Sequence, residues 1–289
     1  MTAAGLAAGA VGWVAAAAGS VVELRSTVGG LLKGAEYRRR LARYAELERL
    51  HTAQRRTPLV TTLLGTPLRI TDGSSFWWSY QEIFEREMYA FPSNSASPYI
   101  VDGGANIGLS TLYFKRRYPA SEIVAFEADP AIYGVLETNV RTFGLTDVRL
   151  VNRALWSEDT EVAFAVEGAD AGRIWNGNGD AIGPIIRIST TRLRPYLERP
   201  VDFLKLDIEG AETEVLVDCA DLLGHVRSVF VEYHSFVQEQ QRLDEVLAVL
   251  RNAGFRVQIE TVKKSPQPLL RRPEQLGMDL QVNIFGWRS

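Results

Sequence analysis

The chain has 289 residues, of which 46% are hydrophobic and 23% charged, the composition of a folded protein with a sizeable core. A net charge of −3 gives no basis for recruiting nucleic acid, and three histidines with one cysteine leave little for a zinc site. Because Cys219 is the only cysteine, no intrachain disulfide can form, which fits a reducing, cytoplasmic compartment.

The first segment of interest, residues 2–22, is uncharged and long enough to span a bilayer. It is rich in Ala and Gly, which contribute little transfer energy, and no Lys or Arg precedes it as a secretory signal requires. We therefore expect a helical N-terminal appendage rather than a membrane anchor. Residues 33–56 continue it as a charged amphipathic helix, whose apolar stripe packs on the main domain or, as the alternative, binds a partner or a membrane surface.

Residues 57–71 are predicted to form a short hairpin that turns near Gly65, which completes an appendage spanning residues 1–73. The second domain is placed at residues 74–289, with a polar linker at 93–98 before its regular part. Its first segment is dense in aromatic rings that fit either core packing or the wall of an apolar substrate pocket. These rings belong to Trp77, Trp78, Tyr80, Phe84, Tyr89 and Phe91.

From residue 99 onward, short apolar strands alternate with helices, the pattern of a mainly parallel sheet covered on both faces. Asp129 followed by Pro130 is a strong signal for the start of one of these helices. The predicted strands are 99–101, 122–126, 148–152, 161–166, 185–190, 203–207, 228–233, 255–260 and 279–287. The predicted helices are 107–118, 130–143, one from about 213, and 236–250.

The sequence VDGGANIGLS, residues 101–110, leads from a strand through a glycine-rich turn into a helix. Glycine lets a ligand approach the backbone closely because it lacks Cβ. The spacing D-x-G-x-N-x-G from Asp102 to Gly108 differs from the G-x-G-x-x-G of dinucleotide-binding proteins. It resembles the first motif of S-adenosylmethionine-dependent methyltransferases, and an acid at the strand end suits a cationic ligand better than a pyrophosphate. The alternative is a turn with a structural role only.

Glu127 ends the next predicted strand, 23 residues after Gly104. An acidic side chain near this place accepts hydrogen bonds from ribose hydroxyls. An ordinary solvated carboxylate is the alternative. Taken with the preceding turn, Glu127 indicates the ribose site of a cofactor.

Two later strands carry ionisable side chains in pairs. Lys205 and Asp207 lie two residues apart on one strand, and Glu232 and His234 do the same on the next. Glu209 follows the first of these strands. Buried charges are costly unless they are paired or used, and ligands of open α/β sheets bind beyond the carboxyl ends of the strands. We expect these side chains to meet there, either in a reactive site or in a structural network in which the charges only pair with one another.

The motifs IVDGGANIG, VAFEADP, LKLDIEGAETEVL and VFVEYHS occur in the order and spacing of the FkbM family of methyltransferases, which the chain resembles over roughly residues 80–260. The resemblance implies an α/β, Rossmann-like class I methyltransferase fold with a seven-stranded, mainly parallel sheet of order 3-2-1-4-5-7-6 and an antiparallel edge strand. It also implies S-adenosylmethionine as cofactor and, as acceptor, a small molecule that offers a hydroxyl oxygen: a sugar, a polyketide or another secondary metabolite. The residues implied to bind the cofactor are Asp102, Gly103, Gly104, Ala105, Asn106, Gly108, Ser110, Glu127, Ala128, Asp129, Ala154 and Asp207.

Methyl transfer to a hydroxyl needs the acceptor oxygen held in line with the methyl carbon and a base for its proton. His234 is the expected base because imidazole titrates near neutral pH, and Asp207 is the second choice. Lys205 is expected to pair with a carboxylate, while Glu209 and Glu232 complete the catalytic set. A Mg²⁺ ion shared by Asp207 and Glu209 is left open.

Other interpretations stay open at this point. A non-catalytic scaffold of the same fold would bind the cofactor without turnover, and a nicotinamide-dependent dehydrogenase would need the other glycine spacing. Nitrogen rather than oxygen is the methylated atom in a third alternative. The glycine-rich segment 167–186 is either a mobile surface loop or a lid over the acceptor, and the basic segment 263–273 either rims the pocket or is solvated.

Overall fold

The computed structural model of the chain describes residues 35–169, 172–177, 183–271, 274 and 276–288. The question of an anchor at residues 2–22 therefore lies outside the described residues. Within the ranges that are described, no helix is both long and apolar enough to cross a membrane. The chain divides into two compact units, with the boundary between Arg49 and Leu50.

Helix α1, Ala35–His51, makes up the described part of the first unit and reaches into the second. Its surface carries ion pairs one turn apart, such as Arg49 with Glu46 at 2.7 Å, which support an exposed helix by a few tenths of a kcal/mol, roughly 0.2–0.5 each. The helix predicted over residues 33–56 is thus found, and it ends at His51.

The second unit opens with the predicted hairpin, whose strands β1 (Leu59–Thr61) and β2 (Leu68–Ile70) pair antiparallel. Helix α2, Gly73–Tyr80, follows and continues into a π-helical turn, Gln81–Glu85. Asp72 caps α2 by accepting a hydrogen bond from the Ser75 backbone N–H. This helix was not predicted from the sequence, because its dense aromatic residues hide the helical period.

The remaining strands are, in chain order, β3 (Tyr99–Gly103), β4 (Glu122–Phe126), β5 (Val148–Val151), β6 (Ala154–Leu155), β7 (Glu161–Ala165), β8 (Arg173–Ile174), β9 (Ile185–Thr191), β10 (Val201–Leu206), β11 (Val226–Phe236), β12 (Arg256–Thr261) and β13 (Met278–Trp287). The helices among them are α3 (Leu109–Arg117), α4 (Pro130–Thr142), α5 (Glu212–Asp218) and α6 (Leu243–Asn252). Short 3₁₀ turns lie at Arg194–Tyr196 and Leu223–His225.

Seven strands form the main sheet in the order β5-β4-β3-β10-β11-β13-β12. Numbered along the chain, that order is 3-2-1-4-5-7-6, so the expected fold class is confirmed. The first five strands of this row run parallel, whereas β13 is antiparallel to both of its neighbours. The antiparallel strand therefore lies one place inside the edge, which β12 forms. A second, small sheet has the order β6-β9-β7-β8.

The aromatic segment before the sheet contributes mainly to the core. Tyr89 and Phe91 are buried, and their rings pack against those of Phe114, Phe203 and Phe230 on one face of the sheet. All five residues of β3 are buried, as expected for a central strand that is covered on both faces.

The region after β11 differs from the prediction. The strand was expected to end at Tyr233 and a helix to begin at Phe236, but β11 continues to Phe236 and α6 begins only at Leu243. Pairing with β13 extends the strand, because Ser235 lies opposite Leu280 in the ladder. His234 consequently lies within a paired strand rather than in the loop after it.

Candidate active site

The turn between β3 and α3 has the backbone that its glycines predict. Gly104 and Gly108 adopt positive φ angles of +78° and +96°, and Asn106 adopts +49°. The N–H groups of Gly104 and Ala105 both donate to the Phe126 carbonyl, at 3.0 and 2.8 Å. A Cβ at position 104 would lie 1.8 Å from the carbonyl oxygen of Asp207, so only glycine fits there.

Glu127 connects this turn to the one after β4. Its carboxylate accepts the Asn106 N–H at 2.9 Å and the Asp129 N–H at 2.8 Å. Burial raises the pKa of Glu127 to about 7, although both of these hydrogen bonds act to lower it. Asp129 caps α4 as predicted, accepting from the Ala131 N–H at 2.8 Å.

Asp102 lies behind the turn rather than beside a ligand. It is fully buried and accepts hydrogen bonds from the hydroxyls of Ser110 (2.6 Å) and Thr111 (2.9 Å) in the first turn of α3. This carboxylate therefore fixes the helix to the strand. The expectation that Asp102 contacts the cofactor is replaced by a positioning role.

A cavity of about 1030 Å³ runs past these turns, slightly above the range of roughly 300–1,000 Å³ that is typical of small-molecule sites. Nine of the twelve residues expected to bind the cofactor line it: Gly104, Ala105, Asn106, Ser110, Glu127, Ala128, Asp129, Ala154 and Asp207. Asp102, Gly103 and Gly108 do not. Of the five expected catalytic residues, Lys205, Asp207, Glu209 and Glu232 line the cavity, whereas His234 does not.

Lys205 is a buried cation at the centre of the sheet. Its ammonium group donates to the carbonyls of Gly103 (3.1 Å) and Gly104 (2.8 Å), and it lies 3.6 Å from Asp102 and 3.4 Å from Asp207. Burial acts to lower the pKa of Lys205, but the charges of Asp207 and Asp102 outweigh it and the pKa is raised. The predicted pairing of Lys205 with a carboxylate is confirmed.

The predicted cluster around His234 also assembles. The Nε2 atom of His234 lies 3.7 Å from a carboxylate oxygen of Glu209 and 3.7 Å from one of Glu232. Burial and the charge of Asp207 raise the pKa of Glu232 to about 7. Burial raises the pKa of Glu209 further above its ordinary value, even though His234 acts in the opposite direction.

His234 is placed differently from the base that the sequence predicted. Only 1% of its side chain is exposed, and it lies behind the wall that Glu209 and Glu232 form. Burial acts to lower the pKa of His234, yet the charges of Glu209 and Glu212 outweigh it and the pKa lies well above its ordinary value. An imidazole held in this way does not reach an acceptor in the cavity.

Glu212 is the site residue that the sequence analysis missed. It is fully buried at the start of α5, where its carboxylate accepts the N–H groups of Ile208 and Gly210, each at 3.1 Å. The same carboxylate lies 3.0 Å from Nδ1 of His234. An acid in the first turn of a helix is a common stabilising choice, so its position alone gave no signal of a second role.

Aromatic and polar side chains also line the cavity. Trp78, which is 53% exposed, and Phe76 line it from α2, so the aromatic segment contributes to the cavity as well as to the core. Gln281 and Asn283 of β13 add amide groups to the lining, and the Gln281 amide donates to Glu232. Lys263 also lines the cavity, which places part of the basic segment at its rim.

The described part of the glycine-rich segment borders the cavity as well. Its residue Glu167 is paired with Arg56 at 2.5 Å, and the Ala169 carbonyl accepts a hydrogen bond from the Asn106 amide at 2.9 Å. The Ala169 contact ties the segment to the turn of the first motif, and the Glu167 pair ties it to the residues just before β1. Residues 170–171 and 178–182 of the segment lie outside the described residues.

Comparison with known proteins agrees with this arrangement. Residues 102–257 match the family described as "Methyltransferase FkbM domain". The chain is 33% identical over 223 residues to methyltransferase sdnD of Sordaria araneosa, covering 65% of this chain and 85% of that protein. It is 27% identical over 216 residues to the 31-O-demethyl-FK506 methyltransferase FkbM of Streptomyces tacrolimicus, covering 63% and 82%.

Among solved structures, an FkbM methyltransferase from Methylobacillus flagellatus is 11% identical with a TM-score of 0.48, covering 85% of this chain and 59% of that one. M. jannaschii TYW2 in complex with AdoMet is 16% identical with a TM-score of 0.45, covering 82% of this chain and 89% of that one. Because both scores are below 0.5, the family assignment rests on the sequence comparisons.

Proposed function

Because the chain belongs to the FkbM family of methyltransferases, we propose that it transfers a methyl group from S-adenosylmethionine to a hydroxyl oxygen of a small molecule. The observation that carries this proposal is one cavity that joins the turn 104–108 and Glu127 to the carboxylates of Asp207, Glu209 and Glu232. A cofactor site and a group able to take a proton are thereby brought together.

The chain's own residues fit the cofactor. Glu127 lines the cavity with a carboxylate suited to accept ribose hydroxyls, and the backbone of Gly104, Ala105 and Asn106 lines the same cavity, where it would contact the rest of the cofactor. When bound, S-adenosylmethionine supplies an electrophilic methyl group on a good leaving group. The protein must then mainly hold the acceptor oxygen close to that methyl and in line with it.

We assign the role of base to Glu209, because it lines the cavity and His234 does not. A carboxylate on the cavity wall reaches the acceptor proton directly, and geometry is the first requirement for a general base. Asp207 and Glu232 flank the same wall. His234 then lies behind these carboxylates and does not take the acceptor proton itself.

The walls of the cavity support an acceptor with both apolar and polar faces. Trp78 and Phe76 offer an aromatic surface, while Gln281 and Asn283 offer amides that hydrogen-bond to hydroxyl groups. The name of the Streptomyces relative gives 31-O-demethyl-FK506 as its substrate. A hydroxylated secondary metabolite with a large apolar surface is the acceptor class that we infer for this chain.

The test is a methyl-transfer assay with labelled S-adenosylmethionine and a panel of acceptors that offer hydroxyl groups, amino groups or both. Glu209→Gln should lower turnover by about 10²–10⁴, the usual effect of removing a general base, and leave the cofactor dissociation constant nearly unchanged. Glu260→Gln, the same change at another acid of the cavity wall, is the matched control. Near-normal turnover of Glu209→Gln would exclude Glu209 as the base, and labelled product only on amines would overturn transfer to oxygen.

A further inference from the structure

Asp207, Glu232 and His234 converge at the floor of the cavity. Each offers one ligand atom, and the three atoms lie within 4.8 Å of one another. Asp207 and Glu232 reach this point from the cavity wall, and His234 reaches it from behind. We propose that these three side chains bind one divalent transition-metal ion, which holds the acceptor hydroxyl; the role in catalysis rests on the proposed function, whereas binding of the ion does not.

The orientation of His234 is that of a metal ligand. Its Nδ1 lies 3.0 Å from the fully buried carboxylate of Glu212, which is itself fixed by two backbone N–H groups. A metal ion would displace the proton of Nε2, which lies near Glu209 and Glu232, while the Nδ1 hydrogen stays donated to Glu212. A carboxylate behind a ligating imidazole is the usual support of a protein metal site.

The charges around this point favour a cation. Asp207, Glu209, Glu212 and Glu232 all lie near the imidazole of His234, and Lys205 approaches Asp207 at 3.4 Å. The Lys205 ammonium already donates to two backbone carbonyls, so it neutralises this group only in part. A divalent ion would balance the remaining negative charge.

The ligand set also selects the kind of ion. Mg²⁺ and Ca²⁺ prefer oxygen ligands alone, whereas an imidazole together with carboxylates suits Mn²⁺, Co²⁺ or Zn²⁺. This ligand set therefore differs from the pair Asp207 and Glu209 that the sequence offered for Mg²⁺.

Gln281 closes the site on the side of β13, since its NH₂ group donates to Glu232 and lies 3.4 Å from Nε2 of His234. A half-turn of this amide would present its oxygen as a fourth ligand.

An acceptor hydroxyl bound to such an ion would lose its proton more easily. Glu209, at 3.7 Å from Nε2 of His234, lies beside the ion and would take that proton. The oxygen then uses a lone pair to form the bond to the methyl carbon, while the electron pair of the broken carbon–sulfur bond stays on sulfur. Charge and atoms balance without any further reactant.

The experiment is a titration of the metal-stripped, full-length protein with Mn²⁺, followed by electron paramagnetic resonance. We expect one bound ion per chain, with a coupling to nitrogen that disappears in His234→Gln. Glu212→Gln should weaken binding by about 10–100-fold, as expected for the loss of a supporting carboxylate. Glu260→Gln removes a charge from the same cavity and should leave Mn²⁺ binding unchanged, and circular dichroism verifies that each variant is folded.

Two results would overturn the proposal. One is a wild-type protein that binds no more Mn²⁺ than Asp207→Asn does and shows no visible absorption with Co²⁺. The other is a nitrogen coupling that persists in folded His234→Gln. If either result is found and the metal-stripped protein still transfers methyl groups, the metal proposal fails and the proposed function stands. If the protein binds Mn²⁺ but has no affinity for S-adenosylmethionine, the proposed function fails and the metal site stands.

Discussion

Glu127 is the side chain that we expect to make cofactor binding depend on pH, if it holds the ribose as proposed. Burial raises its pKa to about 7, so near neutral pH part of the protein carries a protonated carboxyl there. Ribose hydroxyls donate to the ionised form. Protons and cofactor therefore compete, and affinity should decrease as the pH falls through 7.

The corresponding prediction concerns the dissociation constant for S-adenosylmethionine from about one and a half pH units below the Glu127 pKa to about one unit above it. It should rise by up to about tenfold per pH unit below 7, since one unit corresponds to roughly 1.36 kcal/mol. Isothermal titration measures it, and Glu127→Gln, which cannot ionise, is the control. The same pH dependence in Glu127→Gln would show that another group is responsible.

Lys205 is expected to matter for stability. Replacement by Met leaves Asp102 buried and facing Asp207 without the cation between them, which should cost about 3–5 kcal/mol in the free energy of unfolding. Urea denaturation measures this loss. Arg199→Met breaks the exposed pair with Glu122 and should cost less than about 1 kcal/mol. Equal losses in the two variants would contradict the role of Lys205 as a buried counter-charge.

Single residues also show how much of the candidate site could be predicted from the sequence. Lys205, Asp207, Glu209, Glu232 and His234 were predicted to meet, because charges on buried strands must find partners. Which of them faces the cavity depends on side-chain direction, and only the structure shows that. The same holds for Glu212, whose buried contact with His234 spans 22 residues of sequence.

Among the elements, the turn between β3 and α3 offers a clean test of close packing. Gly104→Ala and Gly65→Ala both place a side chain at positive φ, which costs about 1–2 kcal/mol. Only at position 104 does the new Cβ also meet backbone, the Asp207 carbonyl, since nothing lies within 4 Å of a Cβ at position 65. Thermal unfolding should therefore show a much larger loss for Gly104→Ala. Equal shifts in Tm would mean that the turn can move away from β10.

The boundaries of β11 and α6 illustrate where local pattern fails. Phe236 continues the apolar spacing of the following helix, so periodicity alone assigned it there. In the structure Phe236 pairs with Met278 across the ladder and covers Gly210. Tertiary pairing with a strand some forty residues later decided the boundary, and such pairing leaves no local signal.

For the whole molecule, the order of the seven strands followed from the family resemblance and was confirmed. The alternation of strands and helices alone indicated only a mainly parallel sheet. The shape of the cavity could not be predicted, because helix α2 forms part of its wall and this helix was not predicted from the sequence. The aromatic residues there were ambiguous between core and pocket, and the structure assigns them to both.

The central claim is that the turn 104–108 and Glu127 hold S-adenosylmethionine. Isothermal titration of the full-length protein with S-adenosylmethionine, beside Glu127→Ala and the control Glu122→Ala at the opposite end of β4, tests it most directly. Wild type and Glu122→Ala should bind alike, and Glu127→Ala should lose about 1.5–3 kcal/mol, the value of hydrogen bonds to a charged group. Equal affinity in all three proteins, or displacement of the cofactor by NAD, would contradict the account.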